Sequence, residues 1–389
     1  MTTHPDRAIA ILHDLVATPS VNPAYDPASP GERDVAAYVI AWAERLGLPV
    51  RTEAVFPGRD NVLVELAGPT GSPTLLLEAH MDTVSADTMP DAFTPIVRDG
   101  LLYGRGACDT KGSLAAMMAA VELLAAERTT LACSVTLLAA IDEETVGNGV
   151  DAYVAAGGRP DAAIVGEPTQ LRVIHAHNGC LRGDITVIGQ AAHTSVAHEG
   201  RNAITGMADV IQAMDRLDRE LAARPGGPER HGSLTVSLIH GGTGVNIVPE
   251  RCTISYDRRS VPGDLSADLL AEIDAALERV RTRHPELTIV REVPALDLGA
   301  LLTAPDATIT RAASAANAAI LHDPTPTTVP YGSDASILSL NGGIPTIVYG
   351  PGSIAHAHSA TEHVALVEVA DAARFYAAAA RAFGELARA

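Results

Sequence analysis

The chain has 389 residues, which is long enough for two domains with separate cores. Its formal net charge of -19 disfavours nucleic acid and anionic membranes as main partners, because their phosphates would be repelled. The four cysteines are widely spaced and suggest neither disulfides nor a thiolate zinc site. The absence of a signal-peptide pattern and of a long apolar run predicts a cytoplasmic protein.

The first part of the chain alternates amphipathic helices with apolar strands. Helices are predicted at Arg7–Ala17, Glu32–Leu46 and Ser113–Ala126. Strands are predicted at Val50–Val55, Asn61–Leu66, Thr74–Ala79, Ser134–Ile141 and Ala162–Val165. This alternation predicts an α/β domain with a central mixed, mostly parallel sheet that is largely buried.

A different order of elements follows between residues 182 and 294. The predicted elements are strand Gly183–Ile188, helix Arg201–Ala223, strands Ser233–His240 and Arg251–Arg258, helix Leu265–His284 and strand Leu287–Val293. This βαββαβ order is the ferredoxin-like α+β unit. Helix Ala307–Ile320, strand Pro345–Tyr349 and a final alanine-rich helix then resume the first domain. We therefore predict a discontinuous domain, 1–181 and 295–389, with 182–294 inserted.

Residues of metal-ligand type follow four of the apolar strand-like segments. They are His80 with Asp82, the Asp142–Glu144 triplet, Glu167 and His358. Because sites in open α/β sheets form beyond the carboxyl ends of strands, these segments could converge on one crevice. Asp109 lies in a glycine-rich turn that fits neither a Walker A loop nor a GxGxxG turn.

The spacing of these residues allows different tasks. His80 and Asp82 face the same side of an extended chain, so the carboxylate can orient a metal-bound imidazole. Glu143 and Glu144 diverge, so one can bind metal while the other acts as general base. Each pattern alone also fits an ordinary loop, and either His356 or His358 could supply the second imidazole.

Taken together, two histidines, two glutamates and one aspartate form a nitrogen and oxygen ligand set. Such a set suits Zn²⁺ or a similar divalent ion. One shared aspartate, with a histidine and a glutamate for each ion, is enough for two ions ~3.5–4 Å apart that activate water at neutral pH.

The chain resembles the M20 metallopeptidase/deacylase family over nearly its whole length. This family includes acetylornithine deacetylases, succinyl-diaminopimelate desuccinylases and glutamate carboxypeptidases. The motifs that carry the resemblance are His80-Met-Asp82, Gly104-Arg-Gly-Ala-Cys-Asp109-Thr-Lys-Gly-Ser113, Asp142-Glu-Glu144, Gly166-Glu-Pro168, Gly350-Pro-Gly352 and Ala357-His358-Ser-Ala-Thr-Glu362.

The resemblance implies two divalent metal ions per subunit, with Zn²⁺ favoured and Co²⁺ as an alternative. It implies that His80 and Glu167 bind one ion, that Glu144 and His358 bind the other, and that Asp109 bridges them. His358 matches rather than His356, because the family's histidine precedes a glutamate by four positions.

The same resemblance implies the catalytic residues. Glu143 corresponds to the general base and Asp82 to the carboxylate behind the first metal-binding histidine. The inserted domain corresponds to a lid or dimerisation domain, and the resemblance implies a homodimer. His193 corresponds to a histidine that enters the partner subunit's active site, where it helps to hold the developing oxyanion.

Two further residues of the inserted domain match substrate-facing positions of the family. They are Asn246 and Arg259, and the spacing Asp-x-Arg favours Arg259 over Arg258 as the residue that binds a substrate carboxylate. A surface ion pair is an equally simple role for either arginine.

These observations predict a metal-dependent hydrolase that cleaves the amide bond of an N-acyl amino acid, of deacetylase or desuccinylase type, through a metal-bridging water activated by Glu143. A dipeptidase or carboxypeptidase of the same family is the alternative. A non-catalytic metal-binding relative is a third possibility, against which the intact Glu143 argues. The acyl group, the amine side chain and the native metal stay open.

Overall fold

The computed structural model describes residues 4–126, 131–226 and 231–388. The chain divides into two compact units. The first comprises residues 1–176, 301–329 and 333–389, and the second comprises residues 177–300 and 330–332. None of the helices in the described ranges is both long enough and apolar enough to cross a membrane.

Residues 4–177 alternate helices and strands, as the apolar periodicity predicts. The helices are α1 (His4–Val16), α2 (Arg33–Arg45), α3 (Lys111–Ala126) and α4 (Asn148–Ala155). The strands are β1 (Val50–Phe56), β2 (Arg59–Leu66), β3 (Thr74–His80), β4 (Ile96–Arg98), β5 (Leu101–Tyr103), β6 (Ser134–Ala140), β7 (Ala162–Val165) and β8 (Ile174–His177).

The second unit has the predicted βαββαβ order with short additions. Its elements are β9 (Gly179–Ile188), β10 (Ala192–His193), a 3₁₀ turn (Thr194–Glu199), α5 (Ala203–Ala223), β11 (Leu234–Gly241), β12 (Ile247–Val248), β13 (Arg251–Ser260), α6 (Ser266–Arg283), β14 (Thr288–Arg291) and β15 (Leu296–Leu298). The main sheet is antiparallel with strand order β11-β13-β9-β14, which is the ferredoxin-like order. The Asn202 side chain caps α5 by accepting from two backbone N–H groups.

The remaining elements complete the first unit. They are β16 (Leu301–Leu302), α7 (Thr308–Leu321), β17 (Thr327–Val329), α8 (Ala335–Leu340), β18 (Thr346–Val348), β19 (His363–Ala365) and α9 (Leu366–Leu386). The main sheet of this unit has nine strands in the order β1-β2-β6-β3-β7-β18-β8-β16, with β17 paired to β8. The prediction of a mixed sheet is confirmed: β6, β3, β7 and β18 are parallel neighbours, and antiparallel strands flank them.

The parallel strands lie at the centre of the first unit's core. Strand β3 is buried at six consecutive positions, because helices or loops cover both faces of a parallel sheet. Helix α3 is also buried over most of its surface and packs against α1 and α9. A separate apolar core lies between the sheet and the two helices of the second unit. The predicted fold class, an α/β unit plus a ferredoxin-like unit, is thus confirmed.

Candidate metal centre

The register of the parallel strands brings the predicted ligand residues to one edge of the sheet. His80, the last residue of β3, pairs with Ala140 at the end of β6, so the Asp142–Glu144 turn begins beside it. On the other side of β3, Glu78 pairs with Val165 at the end of β7, two residues before Glu167. The carboxyl ends of β3, β6 and β7 therefore place His80, the Asp142–Glu144 turn and Glu167 at the same edge of the sheet.

Asp109 lies at the centre of the cluster, with one oxygen toward each of two histidines. Its Oδ1 is 3.1 Å from His80 Nε2, and its Oδ2 is 3.2 Å from His358 Nε2. His358 Nε2 is also 3.1 Å from Glu144 Oε2. On the opposite side, His80 Nε2 lies 4.0 Å from Glu167 Oε1. All five residues predicted as ligands are thus within one small volume.

Glu143 also lies in this cluster, but not between His80 and His358 as Asp109 does. Its Oε2 is 3.9 Å from His80 Nε2, and its side chain is 19% exposed. Candidate ligand atoms of His80, Asp109 and Glu144 all lie within 4.8 Å of one another, as do those of His80, Glu143 and Glu167. Glu143 therefore belongs to the second group, which shares His80 with the first, and it is more accessible than the other acids of the cluster.

Asp82 stands behind His80 in the predicted position. His80 Nδ1 is 3.1 Å from the Asp82 carbonyl oxygen and 3.4 Å from its Oδ1, which leaves Nε2 facing Asp109. The same carboxylate accepts hydrogen bonds from the backbone N–H groups of Glu143 and Glu144, both at 3.2 Å. Asp82 therefore contacts both the imidazole and the turn that carries the two glutamates.

The electrostatics of the cluster favour cations. Burial, together with neighbouring carboxylates, raises the pKa of Glu167 and of Glu143 well above the usual range. Hydrogen bonds to Asp109 and Glu144 raise the pKa of His358 to about 10, and burial raises that of Glu144 to about 7. These groups therefore hold protons when no metal is bound, and divalent cations would displace those protons.

The residues present fit a pair of divalent ions. The donors are imidazole nitrogens and carboxylate oxygens, with one carboxylate placed to bridge. Within the described part of the chain, Glu144 Oε1 is buried without a hydrogen-bond partner, so it has an unused acceptor in the cluster. Cys108 is next to Asp109 in sequence, but its thiol is directed to the Ser353 carbonyl oxygen, at 3.3 Å.

Several residues that hold the cluster were not predicted from the sequence. Glu362 accepts from the backbone N–H groups of Cys108 and Asp109, at 3.0 and 3.1 Å, and forms a buried ion pair with Arg105 at 2.6 Å. Lys111 Nζ donates to the carbonyl oxygens of Leu15 and Thr18, which ties the Asp109 loop to the end of α1. Glu362, Arg105 and Lys111 all lie in motifs that carry the family resemblance, but the sequence predicted no contact partner for any of them.

His356 and His358 have different surroundings. The His356 ring packs edge-on against His363, with ring centroids 4.1 Å apart. His358, with a left-handed φ of 58°, instead directs Nε2 at Asp109 and Glu144. The geometry thus supports His358 as the second imidazole of the cluster.

In the second unit, His193 and Asn246 are neighbours. His193 pairs with Ile247 on the short ribbon β10–β12, and the Thr194 N–H donates to the Asn246 carbonyl oxygen at 3.1 Å. Both residues are exposed. Strand β13 begins at Arg251, close in sequence to Asn246. Arg259 lies near the other end of this strand, roughly 26 Å away along it. One copy of this unit therefore does not bring all three residues together.

Arg258 and Arg259 also differ in exposure. The Arg258 side chain is 1% exposed, donates to the His231 carbonyl oxygen at 2.8 Å and pairs with Glu272. The Arg259 side chain is 35% exposed and pairs with Asp257 at 2.8 Å. Arg259 is thus the more accessible of the two guanidinium groups.

Replacing Asp82 with asparagine is expected to weaken metal binding roughly 10–100-fold, the range typical for a group hydrogen-bonded behind a ligand. The amide cannot accept on both atoms, so the Nδ1 contact and one backbone contact of the 143–144 turn would be lost. Titration of the metal-free protein with Co²⁺ measures the effect. An unchanged dissociation constant would show that Asp82 does not orient His80.

Comparison with known proteins finds relatives that match most of the chain. The model of peptidase family M20/M25/M40 matches residues 76–382. An acetylornithine deacetylase of Salmonella arizonae is 33% identical, and the match covers 92% of each chain. The crystal structure of a tripeptidase from Staphylococcus aureus superposes with a TM-score of 0.79 at 19% identity, covering 98% of this chain and 99% of that one.

A second solved structure is described as a dinuclear metal-binding peptidase. This is the YXEP protein of Bacillus subtilis, with a TM-score of 0.74, 16% identity and 98% coverage of both chains. At these identities the two structures show the fold. The family model, however, spans most of the chain, and the chain is therefore a metallohydrolase that belongs to peptidase family M20/M25/M40.

Proposed function

We propose that this protein removes the acyl group from an N-acyl amino acid, in a deacetylase or desuccinylase type of reaction. The observation that carries the proposal is Asp109 held between two imidazoles with Glu143 beside them. The acetylornithine deacetylase at 33% identity favours an acylated amino acid over a peptide as substrate.

The cluster would hold the two cations through the residues already described. His80 and Glu167 would bind one, Glu144 and His358 the other, and Asp109 both. When bound, such a pair supplies Lewis-acid polarisation of the amide carbonyl and lowers the pKa of the attacking water. Zn²⁺ is our first expectation for this donor set and Co²⁺ the second.

Glu143 would move the proton. In the reaction, water adds to the acyl carbonyl, the C–N bond breaks, and a carboxylate and a free amine are formed. Glu143 accepts a proton from the attacking water and then donates it to the leaving nitrogen. The position of its carboxylate beside His80 and Glu167, and its partial exposure, support this role.

We also propose that the active unit is a homodimer in which His193 acts in the partner subunit's site. Ser195 N–H donates to His193 Nδ1 at 3.2 Å, and Ser195 Oγ is 2.7 Å from the same atom. In a neutral imidazole the proton is then on Nε2, which makes Nε2 a donor suited to an oxyanion. Asn246 shares the ribbon and would reach the substrate together with His193.

The second unit offers a surface for this association. Strand β11 is at the edge of its sheet, and Leu238 and Ile239 on it are 55% and 53% exposed. An exposed apolar edge strand is a template on which another chain can pair. We propose that a second copy covers it and that residues 182–294 are the lid and dimerisation domain, with 1–181 and 295–389 as the catalytic domain.

Arg259 would hold the carboxylate of the substrate. Its guanidinium is partly exposed, and its partner Asp257 is on the same strand, so a carboxylate ligand could replace that partner. Because the contact would be made in both ground state and transition state, Arg259→Met should mainly raise KM.

The test of the proposed function is a released-amine assay after chelation and reloading with Zn²⁺ or Co²⁺. Substrates are N-acetyl-ornithine, N-succinyl-diaminopimelate, other acylated amino acids, and simple di- and tripeptides. We expect turnover of at least one acylated amino acid to exceed that of every peptide. Preferential cleavage of peptides would favour the peptidase alternative, and activity indifferent to chelator would contradict the metal-dependent reaction.

Trans complementation tests the partner role of His193. Glu143→Gln and His193→Ala are each expected to be nearly inactive. Subunit exchange between them should restore roughly a quarter of wild-type activity, because random pairing gives half heterodimers, each with one intact site. A mixture as inactive as its components, although native mass spectrometry shows heterodimers, would contradict the exchange of His193.

A further inference from the structure

The turn that carries Glu143 and Glu144 is anchored through the residue before them. Asp142 has a φ of 71°, a left-handed conformation that a non-glycine residue adopts only when its surroundings hold it. Its Oδ1 accepts from Asn22 Nδ2 and from Arg59 Nη2, both at 2.9 Å, and its Oδ2 accepts from Asn148 Nδ2 at 2.6 Å. The carboxylate of Asp142 is therefore fully engaged behind the site.

Arg59 belongs to a buried bidentate ion pair. Its Nε and Nη2 donate to the two carboxylate oxygens of Glu32, at 2.7 and 2.6 Å. The side chains of Arg59 and Glu32 are only 14% and 0% exposed. Glu32 Oε1 also accepts from the Asp142 N–H at 3.1 Å, so the pair holds both the backbone and the side chain of Asp142.

The neighbouring residue leaves room for this arrangement. Gly31 has a φ of 64°, and a Cβ at its position would lie 3.0 Å from Arg59 Nε. A side chain at this position would crowd the guanidinium, and the left-handed φ also favours glycine here.

We propose that the Glu32–Arg59 pair is a positioning device for the two adjacent glutamates of the active site. It holds Asp142 so that the N–H groups of Glu143 and Glu144 both reach Asp82 and their carboxylates enter the metal cluster. The inference rests on the proposed function for the roles of Glu143 and Glu144. Neither Arg59 nor Glu32 touches the substrate in this proposal.

Removing the guanidinium would leave two buried carboxylates facing each other. Arg59 Nη2 contacts both Glu32 and Asp142, and no other cation of the described residues is paired with either of them. Two close carboxylates in a buried site cannot both stay charged in place, so one of them takes up a proton or moves away. Of the described donors, Glu32 would keep the Asp142 N–H alone, whereas Asp142 would keep Asn22 and Asn148. Loss of the Arg59 bonds therefore loosens Glu32 and, with it, the contact that holds the Asp142 backbone, so Glu143 and Glu144 would shift.

An ordinary structural ion pair of the same unit provides the matched control. Arg7 Nε donates to both carboxylate oxygens of Glu122 at 3.0 Å, and its Nη2 donates to Oε1 at 2.8 Å. Trp42 donates to the same carboxylate at 2.7 Å. This pair is also bidentate and partly buried, but it contacts none of the ligand residues.

The experiment compares Arg59→Met, Arg59→Lys, Glu32→Gln and Arg7→Met in the full chain. Each variant is loaded with Co²⁺, and the visible absorption spectrum, the thermal midpoint and the kinetics of amine release are recorded. Visible bands of Co²⁺ report coordination geometry independently of turnover. We expect Arg59→Met to change the spectrum and to lower kcat roughly 30–100-fold with KM within about 3-fold, since small misplacements of a catalytic group have such effects.

The other variants separate positioning from stability. Arg59→Lys should recover part of the loss, Glu32→Gln should lower kcat about 5–10-fold, and Arg7→Met should lower the thermal midpoint with a wild-type spectrum and kcat. If Arg59→Met does not fold, a wild-type spectrum and kcat in Glu32→Gln overturn the proposal. So does an Arg59→Met variant that only loses stability, as Arg7→Met does.

Failure of the proposed function can be distinguished from failure of this inference. If the wild type released no amine from any substrate, the assignment of acylated amino acids would fail. The Co²⁺ spectra would still decide the inference: a change in Arg59→Met but not in Arg7→Met supports positioning, and identical spectra in both contradict it.

Discussion

Replacing Glu143 with glutamine is expected to lower kcat by ~10⁴-fold while leaving metal content unchanged. The glutamine side chain has the same size but cannot accept and return a proton at neutral pH. Because the proposed ligands of the two ions are His80, Glu167, Asp109, Glu144 and His358, this substitution should leave all five in place. Steady-state kinetics and elemental analysis measure the two quantities.

The control is Glu65→Gln on strand β2, where the side chain is 51% exposed and paired only loosely with Arg51, at 3.6 Å. This variant should keep wild-type kcat and metal content. Turnover within 10-fold of wild type in Glu143→Gln would assign the proton transfer to another group. Loss of metal in that variant would make Glu143 a ligand.

The second large effect is expected for Asp109→Asn. The carboxylate offers one oxygen to each side of the cluster, and an amide can offer only one oxygen and no charge. Metal affinity should fall more than about 100-fold, beyond the loss typical of a group behind a ligand, and occupancy should drop below two ions per chain. Activity should be lost with the metal.

Equilibrium dialysis with Co²⁺ at several concentrations checks this prediction. Asp87→Asn, an exposed aspartate in the loop after β3, is the matched control and should bind metal as the wild type does. If Asp109→Asn still bound two ions with wild-type affinity, the bridging role would be wrong.

The order of elements was predictable because each long element carries its own periodic signal. Strand β7 has the predicted bounds, and helices α3, α5 and α6 begin and end within two residues of the prediction. The ferredoxin-like unit follows from two amphipathic helices and four alternating strands in one order. Short elements such as α8 and the strands of two or three residues have too few residues to show a period.

The gathering of the ligands was predictable for a topological reason. Residues at and just after the ends of adjacent parallel strands lie near one another. His80 ends one such strand, and Glu143 and Glu167 follow two others. His358 and Asp109 are in longer loops, where strand order gives no exact position. The sequence placed both in the candidate ligand set, but the choice of His358 over His356 and the bridging role of Asp109 depended on the resemblance to a family.

The supporting contacts could not be predicted from one sequence. Glu362 is 253 residues from Asp109, and Arg59 is 83 residues from Asp142. Neither glutamate nor arginine has a local pattern that distinguishes a buried partner from a solvated side chain. Such contacts depend on the final packing, and only the structure shows them.

The most direct test of the account is a crystal of the Co²⁺-loaded protein measured at the cobalt absorption edge. We predict two anomalous peaks ~3.5–4 Å apart, both in contact with Asp109, one beside His80 and Glu167 and the other beside Glu144 and His358. A single peak, or peaks away from Asp109, would contradict the central claim.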